Sequence, residues 1–285
     1  MPETLFLAAV LVPVGFGVGL VGSLLGVGGG FFVVPFLLSA PLLPGHPFTP
    51  SEATAASLGV ILLNGISATG ANARRRRIDY REGLVLALGT VPGAWAGRDL
   101  VGRLRSAEFS ACFAALLLLV AAYVVFVRFR EGRGKVRGVP REIVDSEGQA
   151  HRYEVNFTLS FLVGLAVGGI ASLFGVGGGL FLVPFLVVAC GMPTLVATAT
   201  SQFTFLFTAS AGLLESVRRG HLTGAGLGVL LFMGAGVALG AQAGVAAAKR
   251  VRPGLVRLML AAVLVTVAAL MALEAWRGGR AFTAP

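Results

Sequence analysis

Residues 22–38 read GSLLGVGGGFFVVPFLL, and residues 171–187 read ASLFGVGGGLFLVPFLV. Twelve of the 17 aligned positions are identical, which predicts an internal duplication of the chain. The shared core is G-V-G-G-G, an apolar spacer and V-P-F-L. Glycine in place of alanine costs a helix about 1 kcal/mol at each position, so the motif indicates a place where both copies require bare backbone.

The composition around this repeat is that of a membrane protein. Hydrophobic residues make up 56% of the 285 residues and charged residues 13%, whereas a soluble domain has about 25% charged residues. The formal charge of +10 comes from basic residues in short loops between apolar segments, a pattern that marks the cytoplasmic face of a membrane protein. The sequence therefore predicts an all-α polytopic membrane protein and excludes nucleic-acid binding.

The predicted membrane spans fall into two matching halves. Residues 5–38 and 157–190 are uncharged runs of 34 residues, too long for one straight span and short for two, since one span needs about 20 residues. Three further spans follow each run, at 53–73, 83–101 and 109–127, and at 195–214, 222–248 and 254–273. The expected domains are a first transmembrane repeat over 1–127, a polar cytoplasmic linker over 128–156 with a brief strand at 152–155, and a second transmembrane repeat over 157–285.

The charge pattern leaves the direction of the second half open. If each long apolar run crosses the membrane once, the halves are parallel; if each run enters and returns, the halves are inverted. Both arrangements place 16 basic residues on one face and seven on the other, and both put 74–81 and 128–152 in the cytoplasm. We prefer inverted halves, each with a Gly-rich broken or re-entrant helix, because broken helices near the midplane recur in transporters.

The glycine motifs are the first predicted substrate-binding elements. Irregular backbone inside a membrane is tolerated where protein covers it or where it lines a wet cavity. The prolines that follow favour helix starts near 29–31 and 178–180, and a helix start presents unpaired amides and a positive dipole end to an anion. The predicted contacts are Gly28, Gly29 and Gly30 in one copy and Gly177, Gly178 and Gly179 in the other. The alternative is that these glycines only allow tight helix packing.

Polar residues after each motif form the second predicted set. Thr54 and Ser57 lie three residues apart and so share one helix face, and the second half repeats this spacing. The predicted cavity-lining residues are Thr54, Ser57, Thr198, Ser201 and Gln202, with Asn64 beside them. The alternative is that these hydroxyls bond back to their own helix. No Lys or Arg lies inside the central parts of either half, so amides and hydroxyls, rather than a full counter-charge, are expected to hold an anion.

The paired G-x-G-G-G-x-x-x-V-P-x-L blocks, each followed by a T-A-x-S-type segment, resemble the sulfite exporter TauE/SafE family, also called the toluene sulfonate uptake permease family. The resemblance covers roughly residues 5–273. It implies a carrier of small sulfur-containing anions, such as sulfite, sulfoacetate, other sulfonates or thiosulfate, in a bacterial inner membrane. The family's D-W-R signature reads Asp79-Tyr80-Arg81 in the first half but is lost at 221–223, so no symmetric role for Asp79 is expected.

Together these features predict a secondary transporter that works by alternating access and holds its anion at the two GVGGG motifs. The alternative is an anion channel or passive pore. An enzyme is not expected, because no nucleophile–base pair or metal cluster lies in the apolar segments, and neither a metal nor a cofactor is predicted. The expected partners are a small anionic substrate and the lipid bilayer. A proton or sodium ion is the candidate coupling ion, and a homodimer is the candidate assembly.

Overall fold

The computed structural model describes residues 2–39, 48–126, 137–248, 250–251 and 253–281. The first half contains α1 (Pro2–Leu25), α2 (Gly30–Ser39), α3 (Pro50–Arg74), α4 (Tyr80–Val101) and α5 (Ser106–Phe126). A hairpin of β1 (Val139–Val144) and β2 (Ala150–Val155) follows. The second half contains α6 (Phe157–Phe174), α7 (Gly179–Val188), α8 (Thr194–Arg218), α9 (Gly224–Ala247) and α10 (Pro253–Ala281). The loop expected between α2 and α3, and the start of the expected linker, lie mostly outside the described residues.

Apart from the hairpin, the described elements are helices, and five of them are long and apolar enough to cross a membrane. These five lie in α1, α3, α5, α6 and α9. The structure thus confirms the predicted all-α polytopic class. The order of long and short helices is the same before and after the hairpin, while the internal duplication itself stays a prediction from the sequence.

Both long apolar runs break at their glycine motif. The helix α1 ends at Leu25 and α2 begins at Gly30, while α6 ends at Phe174 and α7 begins at Gly179. These positions confirm the helix starts predicted near 29–31 and 178–180. Gly30 packs against Ile61 in the middle of α3, because a Cβ at Gly30 would touch the Ile61 side chain. We call residues 26–30 the first tip and residues 175–179 the second tip.

The helices α3 and α8 run antiparallel to each other through the centre of the bundle. Leu58, in the first half of α3, lies beside Gly212, near the end of α8. Asn72, near the end of α3, donates its amide to Gln202, near the start of α8, at 2.7 Å. The contacts between glycines and the facing backbone likewise show that α1 runs parallel to α9 and that α4 runs parallel to α6. Glycines on these helices allow backbone-to-backbone approach, which is the usual way for helices to pack closely in a membrane.

The polar loops gather at two ends of the bundle. At one end, Arg75 Nη1 donates to the Val245 carbonyl at 2.6 Å. At the other end, Arg219 Nη1 lies 3.0 Å from Asp99 Oδ1. The hairpin end comprises residues 74–79, 139–155 and 244–248, and the opposite end comprises residues 49–52, 98–103 and 218–221.

The hairpin folds onto the start of α4. Its two strands pair antiparallel from Val139 opposite Val155 to Val144 opposite Ala150. The amide of Ser146 in its turn donates to the Arg75 carbonyl. The strand expected at 152–155 is thus part of a longer pairing, and this part of the linker is packed rather than freely solvated.

Candidate functional site

The two glycine tips have the same backbone conformation. Three glycines in each tip have φ between 66° and 94°, a region that side-chain-bearing residues rarely adopt. They are Gly26, Gly28 and Gly29 in the first tip and Gly175, Gly177 and Gly178 in the second. Each tip therefore reverses the chain within a few residues, from the end of one helix to the start of the next.

The last glycine of each tip serves a different purpose, because it packs against the other tip. A Cβ on Gly30 would run into the carbonyl oxygen of Gly175, and a Cβ on Gly179 would run into that of Gly26. The tight packing that the alternative expected is thus present at these two positions, and their role in substrate binding stays a prediction. The tips meet near the middle of the bundle with backbone against backbone.

Each tip is held by a serine from the central helix of the opposite half. Ser57 Oγ on α3 donates to the Gly175 carbonyl at 2.7 Å. Ser201 Oγ on α8 donates to the Gly26 carbonyl at 3.3 Å. Both serines are fully buried. The structure places these two predicted residues at the tips, where they secure carbonyl oxygens.

The first-turn amides of α2 and α7 supply the chemistry expected of an anion site. Within the described part of the chain, the amides at 29–31 and 178–180 donate to no backbone carbonyl. These amides lie at the positive end of a helix dipole. All six glycines predicted as substrate contacts, Gly28, Gly29, Gly30, Gly177, Gly178 and Gly179, are buried. Buried, unpaired amides at a helix start can bind an oxyanion.

The first tip lies in a polar network. Asn64 Nδ2 donates to the Gly28 carbonyl at 3.0 Å, and Ser23 Oγ donates to Asn64 Oδ1 at 2.7 Å. Gln202 Nε2 donates to the Ser23 carbonyl at 2.8 Å, and Gln202 Oε1 accepts from Asn72 Nδ2 at 2.7 Å. Gln202 and Asn64 therefore stabilise the first tip from two different helices.

The second tip lacks such a network. Ser172, which stands in the motif where the first copy has Ser23, is fully buried, and its Oγ has no hydrogen-bond partner within the described chain. Its neighbours include Leu58 and Gly212. The side chains nearest to Gly177 and Gly178 are those of Ile61, Val167 and Ala171. The surroundings of the second tip are therefore mainly apolar.

The two predicted threonines bond to their own helices, as the alternative interpretation expected. Thr54 Oγ1 donates to the Pro50 carbonyl at 2.7 Å, and Thr198 Oγ1 donates to the Leu195 carbonyl at 3.0 Å. Each threonine nevertheless touches a tip, because a Cβ on Gly175 would lie 3.0 Å from Thr54 and a Cβ on Gly26 would lie 2.7 Å from Thr198. They pack against the tips rather than donate to them.

The sequence reasoning did not single out one buried polar residue, Arg98. Arg98 was counted with a loop, but it lies in the last turn of α4 and is fully buried. Its Nη1 donates to Thr54 Oγ1 at 2.6 Å. Arg98 thus places a cation beside Thr54, while the expectation that amides and hydroxyls hold an anion stays a prediction. The residue escaped notice because its burial depends on α3 and the α8–α9 loop, which are far away in sequence.

A second polar centre lies at the hairpin end. Asp79 accepts from Arg141 Nη2 at 2.9 Å and from the Tyr153 hydroxyl at 2.8 Å. Burial by itself would raise the pKa of Asp79, but these hydrogen bonds outweigh it and hold the pKa of the carboxyl below its usual value. Nearby, the buried Glu82 accepts from Ser160 Oγ at 2.5 Å and makes no ion pair with a described residue.

Comparison with known proteins identifies the family. The chain matches the model of the sulfite exporter TauE/SafE family over residues 11–271. It is 31% identical over 216 residues to the probable membrane transporter protein YunE of Bacillus subtilis (strain 168), covering 75% of this chain and 79% of that protein. It is 27% identical over 269 residues to a probable membrane transporter protein of Methanocaldococcus jannaschii, covering 92% and 94%. A probable membrane transporter protein of Xylella fastidiosa (strain Temecula1) is 28% identical over 243 residues, which are 78% and 85% of the two chains.

No solved structure matches the chain. The family match and the names of the relatives show a multi-pass membrane transporter, not an enzyme. Among the residues that the structure describes, no group of three His, Cys, Asp or Glu side chains is placed to hold a metal ion.

Proposed function

We propose that this chain, which belongs to the sulfite exporter TauE/SafE family, is a secondary transporter of sulfite, sulfoacetate or another organosulfonate. One observation carries the proposal: the two glycine tips meet inside the bundle, and each presents first-turn amides without a backbone acceptor in the described chain. Such amides bind oxyanions without a full opposite charge. A site of this kind can hold an anion and also release it.

The proposed arrangement is a pair of inverted repeats. Two observations support it: α3 runs antiparallel to α8, and the loops at 98–103 and 218–221 lie at the same end. A parallel arrangement would put 218–221 beside 74–79 instead. The basic residues at 74–81 place the hairpin end in the cytoplasm by the positive-inside rule. A tag on the C-terminus should then be accessible from outside the cell, and cytoplasmic accessibility would contradict the inversion.

Alternating access is proposed to work by separating the tips. In this structure Gly30 and Gly179 pack against the opposite tip, with no room for a methyl group. An anion can reach the amides only if the tips move apart. Each tip moves with its own helix pair, α1–α2 or α6–α7, while α3 and α8 remain at the centre. Movement of one pair at a time would open the site to one face at a time.

Counterflow in proteoliposomes tests the proposal. Vesicles containing purified protein and loaded with unlabelled sulfite should take up ³⁵S-sulfite faster than empty vesicles, and the uptake should saturate. Alanine at Gly178 would bring its methyl group to 3.3 Å from the Val167 side chain and is strained by the φ of 94°. The cost of such strain is about 1–2 kcal/mol, so this variant should reach the membrane with reduced counterflow.

The matched control is Gly17→Ala, because a methyl group at Gly17 has open space around it. It should transport like the unmodified protein. Ionic current without exchange would instead indicate the channel alternative. Absence of both exchange and current with all the sulfur anions tested would contradict the proposal.

A further inference from the structure

Arg98 is a buried cation that forms no ion pair with a carboxylate in the described part of the chain. Its side chain is fully buried in the last turn of α4. Two nearby carboxylates at the opposite end, Asp99 and Glu215, are both bound by Arg219, at 3.0 Å and 2.8 Å. Arg98 itself makes no ion pair with any described carboxylate.

The hydrogen bonds of Arg98 are all to neutral groups. Nη1 donates to Thr54 Oγ1, and Nη2 lies 3.3 Å from the Ser51 carbonyl and 3.1 Å from His221 Nδ1. The Nε–H group is buried and has no acceptor in the described chain. Burying a charge is costly unless an opposite charge and sufficient hydrogen bonds compensate it. The guanidinium therefore has both a charge and a donor available for an anion.

The position of this cation links it to the second tip. Thr54, which accepts from Arg98, packs against Gly175 at the start of that tip. Thr198 occupies the corresponding place against Gly26, but no described cation bonds to it. Among the described residues, a buried arginine therefore bonds to the threonine beside the second tip, and none bonds to the threonine beside the first tip.

We propose that Arg98, with His221 and Thr54 beside it, forms an anion-binding subsite for a small oxyanion between the opposite end and the second tip. The proposal rests on the proposed transport function, because the subsite would deliver the anion to the central site from the opposite end. An arginine is suited to this role because its planar fork of donors matches the oxygens of such an anion. The subsite attracts the anion at the opposite end and passes it to the uncharged amides.

Anion binding to purified full-length protein tests the subsite. Sulfite and selenite titrations by isothermal calorimetry compare the unmodified protein with Arg98→Gln and Arg98→Lys. Loss of a charge-assisted hydrogen bond should weaken binding about 10- to 100-fold in Arg98→Gln, with a smaller loss in Arg98→Lys because the charge remains. Arg103→Gln, an exposed position at the same end, is the matched control and should bind as the unmodified protein does.

Transport from the two sides separates this subsite from a purely structural role. In oriented vesicles, the half-saturating sulfite concentration at the opposite end should rise in Arg98→Lys, while that at the hairpin end stays within about twofold. Unchanged affinity in Arg98→Gln, or an equal rise on both sides in Arg98→Lys, would overturn the subsite. If Arg98→Gln does not fold, the two-sided transport measurement with Arg98→Lys decides whether the subsite exists.

The failure of the subsite and the failure of transport give different results. Counterflow that does not depend on Arg98 overturns the subsite and keeps the transporter. Arg98-dependent anion binding without any counterflow keeps the subsite and contradicts the transporter.

Discussion

The two glycine tips are nearly identical in sequence and backbone, yet their surroundings differ. The first tip is held by Asn64, Ser23 and Gln202 through a chain of hydrogen bonds. The second tip has the orphaned hydroxyl of Ser172 and, on its outer side, the buried Arg98 next to Thr54. The repeated motif therefore supplies the same bare backbone twice, and the central helices give each copy its own chemistry.

This difference has a consequence for transport. A fully bonded tip is expected to be the more rigid of the two, because a satisfied buried network stabilises one arrangement. A tip in mainly apolar surroundings has fewer specific bonds to break when it moves. We therefore expect the second tip to open more readily, on the side where Arg98 can attract the anion.

The largest expected effect concerns the hairpin, whose buried polar contact with the first half is made at Asp79, at the start of α4. Asp79→Asn would leave Arg141 and Tyr153 without their carboxylate partner. Breaking a partly buried pair of this kind destabilises by about 3–5 kcal/mol. Thermal unfolding in detergent and trypsin cleavage within 137–156 measure the loss, with Glu142→Gln in the exposed pair with Arg152 as the control.

The pH dependence of the same contact has a definite sign. Because the pKa of Asp79 is lowered in the folded protein, its contribution is fully present above the unfolded value of about 3.9. The contribution is lost as the pH falls through the lower folded value. Trypsin resistance of the hairpin, assayed after acid pulses, should therefore be unchanged between pH 7 and 5. Loss of protection already at pH 6 would contradict this assignment.

The next effect tests the close approach of the tips. Gly30→Ala and Gly179→Ala each place a methyl group against a carbonyl of the other tip, which costs about 1–3 kcal/mol by overpacking. Because the contact is reciprocal, the two variants should lower the unfolding temperature by similar amounts. Gly17→Ala should leave it unchanged or raise it, because alanine is a better helix former. A neutral result for both tip variants would contradict the packing of tip on tip.

A smaller effect distinguishes the two tips directly. Ser23→Ala removes the donor to Asn64 and should cost about 1 kcal/mol. Ser172→Ala removes a buried hydroxyl without a partner and should be neutral or slightly stabilising. Chemical denaturation of the two variants side by side provides the comparison. Equal destabilisation by both variants would contradict the difference in hydrogen bonding between the two tips.

The smallest effect concerns the serines that bond across the halves. Ser57→Ala breaks a bond of 2.7 Å to the Gly175 carbonyl, and Ser201→Ala breaks one of 3.3 Å to the Gly26 carbonyl. Both should destabilise, with about 1 kcal/mol for Ser57 and less for Ser201, because the longer bond is weaker. The reverse order would show that the two bond lengths do not reflect their strengths.

Local pattern was enough to locate the long helices and the helix start that follows each glycine motif. The broken helix is recognisable in the sequence from adjacent glycines within an uncharged run, with a proline in the turn that follows. In the structure these glycines adopt positive φ. The chemical identity of the site was less accessible. Ser57 bonds to Gly175 and Arg98 bonds to Thr54, which are contacts between residues 118 and 44 positions apart. Such pairs depend on how the helices pack, and no local pattern encodes them.

The hairpin illustrates the same limit. Its charged residues and position between two apolar halves indicate a linker, and only one short strand was expected. Its order comes from the docking of Arg141 and Tyr153 on Asp79, which lies 62 and 74 positions earlier in the chain. The surviving D-Y-R segment thus has a visible role in the first half. Among the described residues, the corresponding loop of the second half, which carries His221, makes none of these contacts.

The most direct test of the anion site is the location of a bound oxyanion. Selenite has the shape and charge of sulfite, and its selenium can be located by anomalous scattering in crystals of the full chain. We predict a peak between the tips, with oxygens about 2.7–3.2 Å from amides at 29–31 or 178–180, in crystals with separated tips. A selenium peak confined to other parts of the protein, with the tips empty at saturating selenite, would contradict the account.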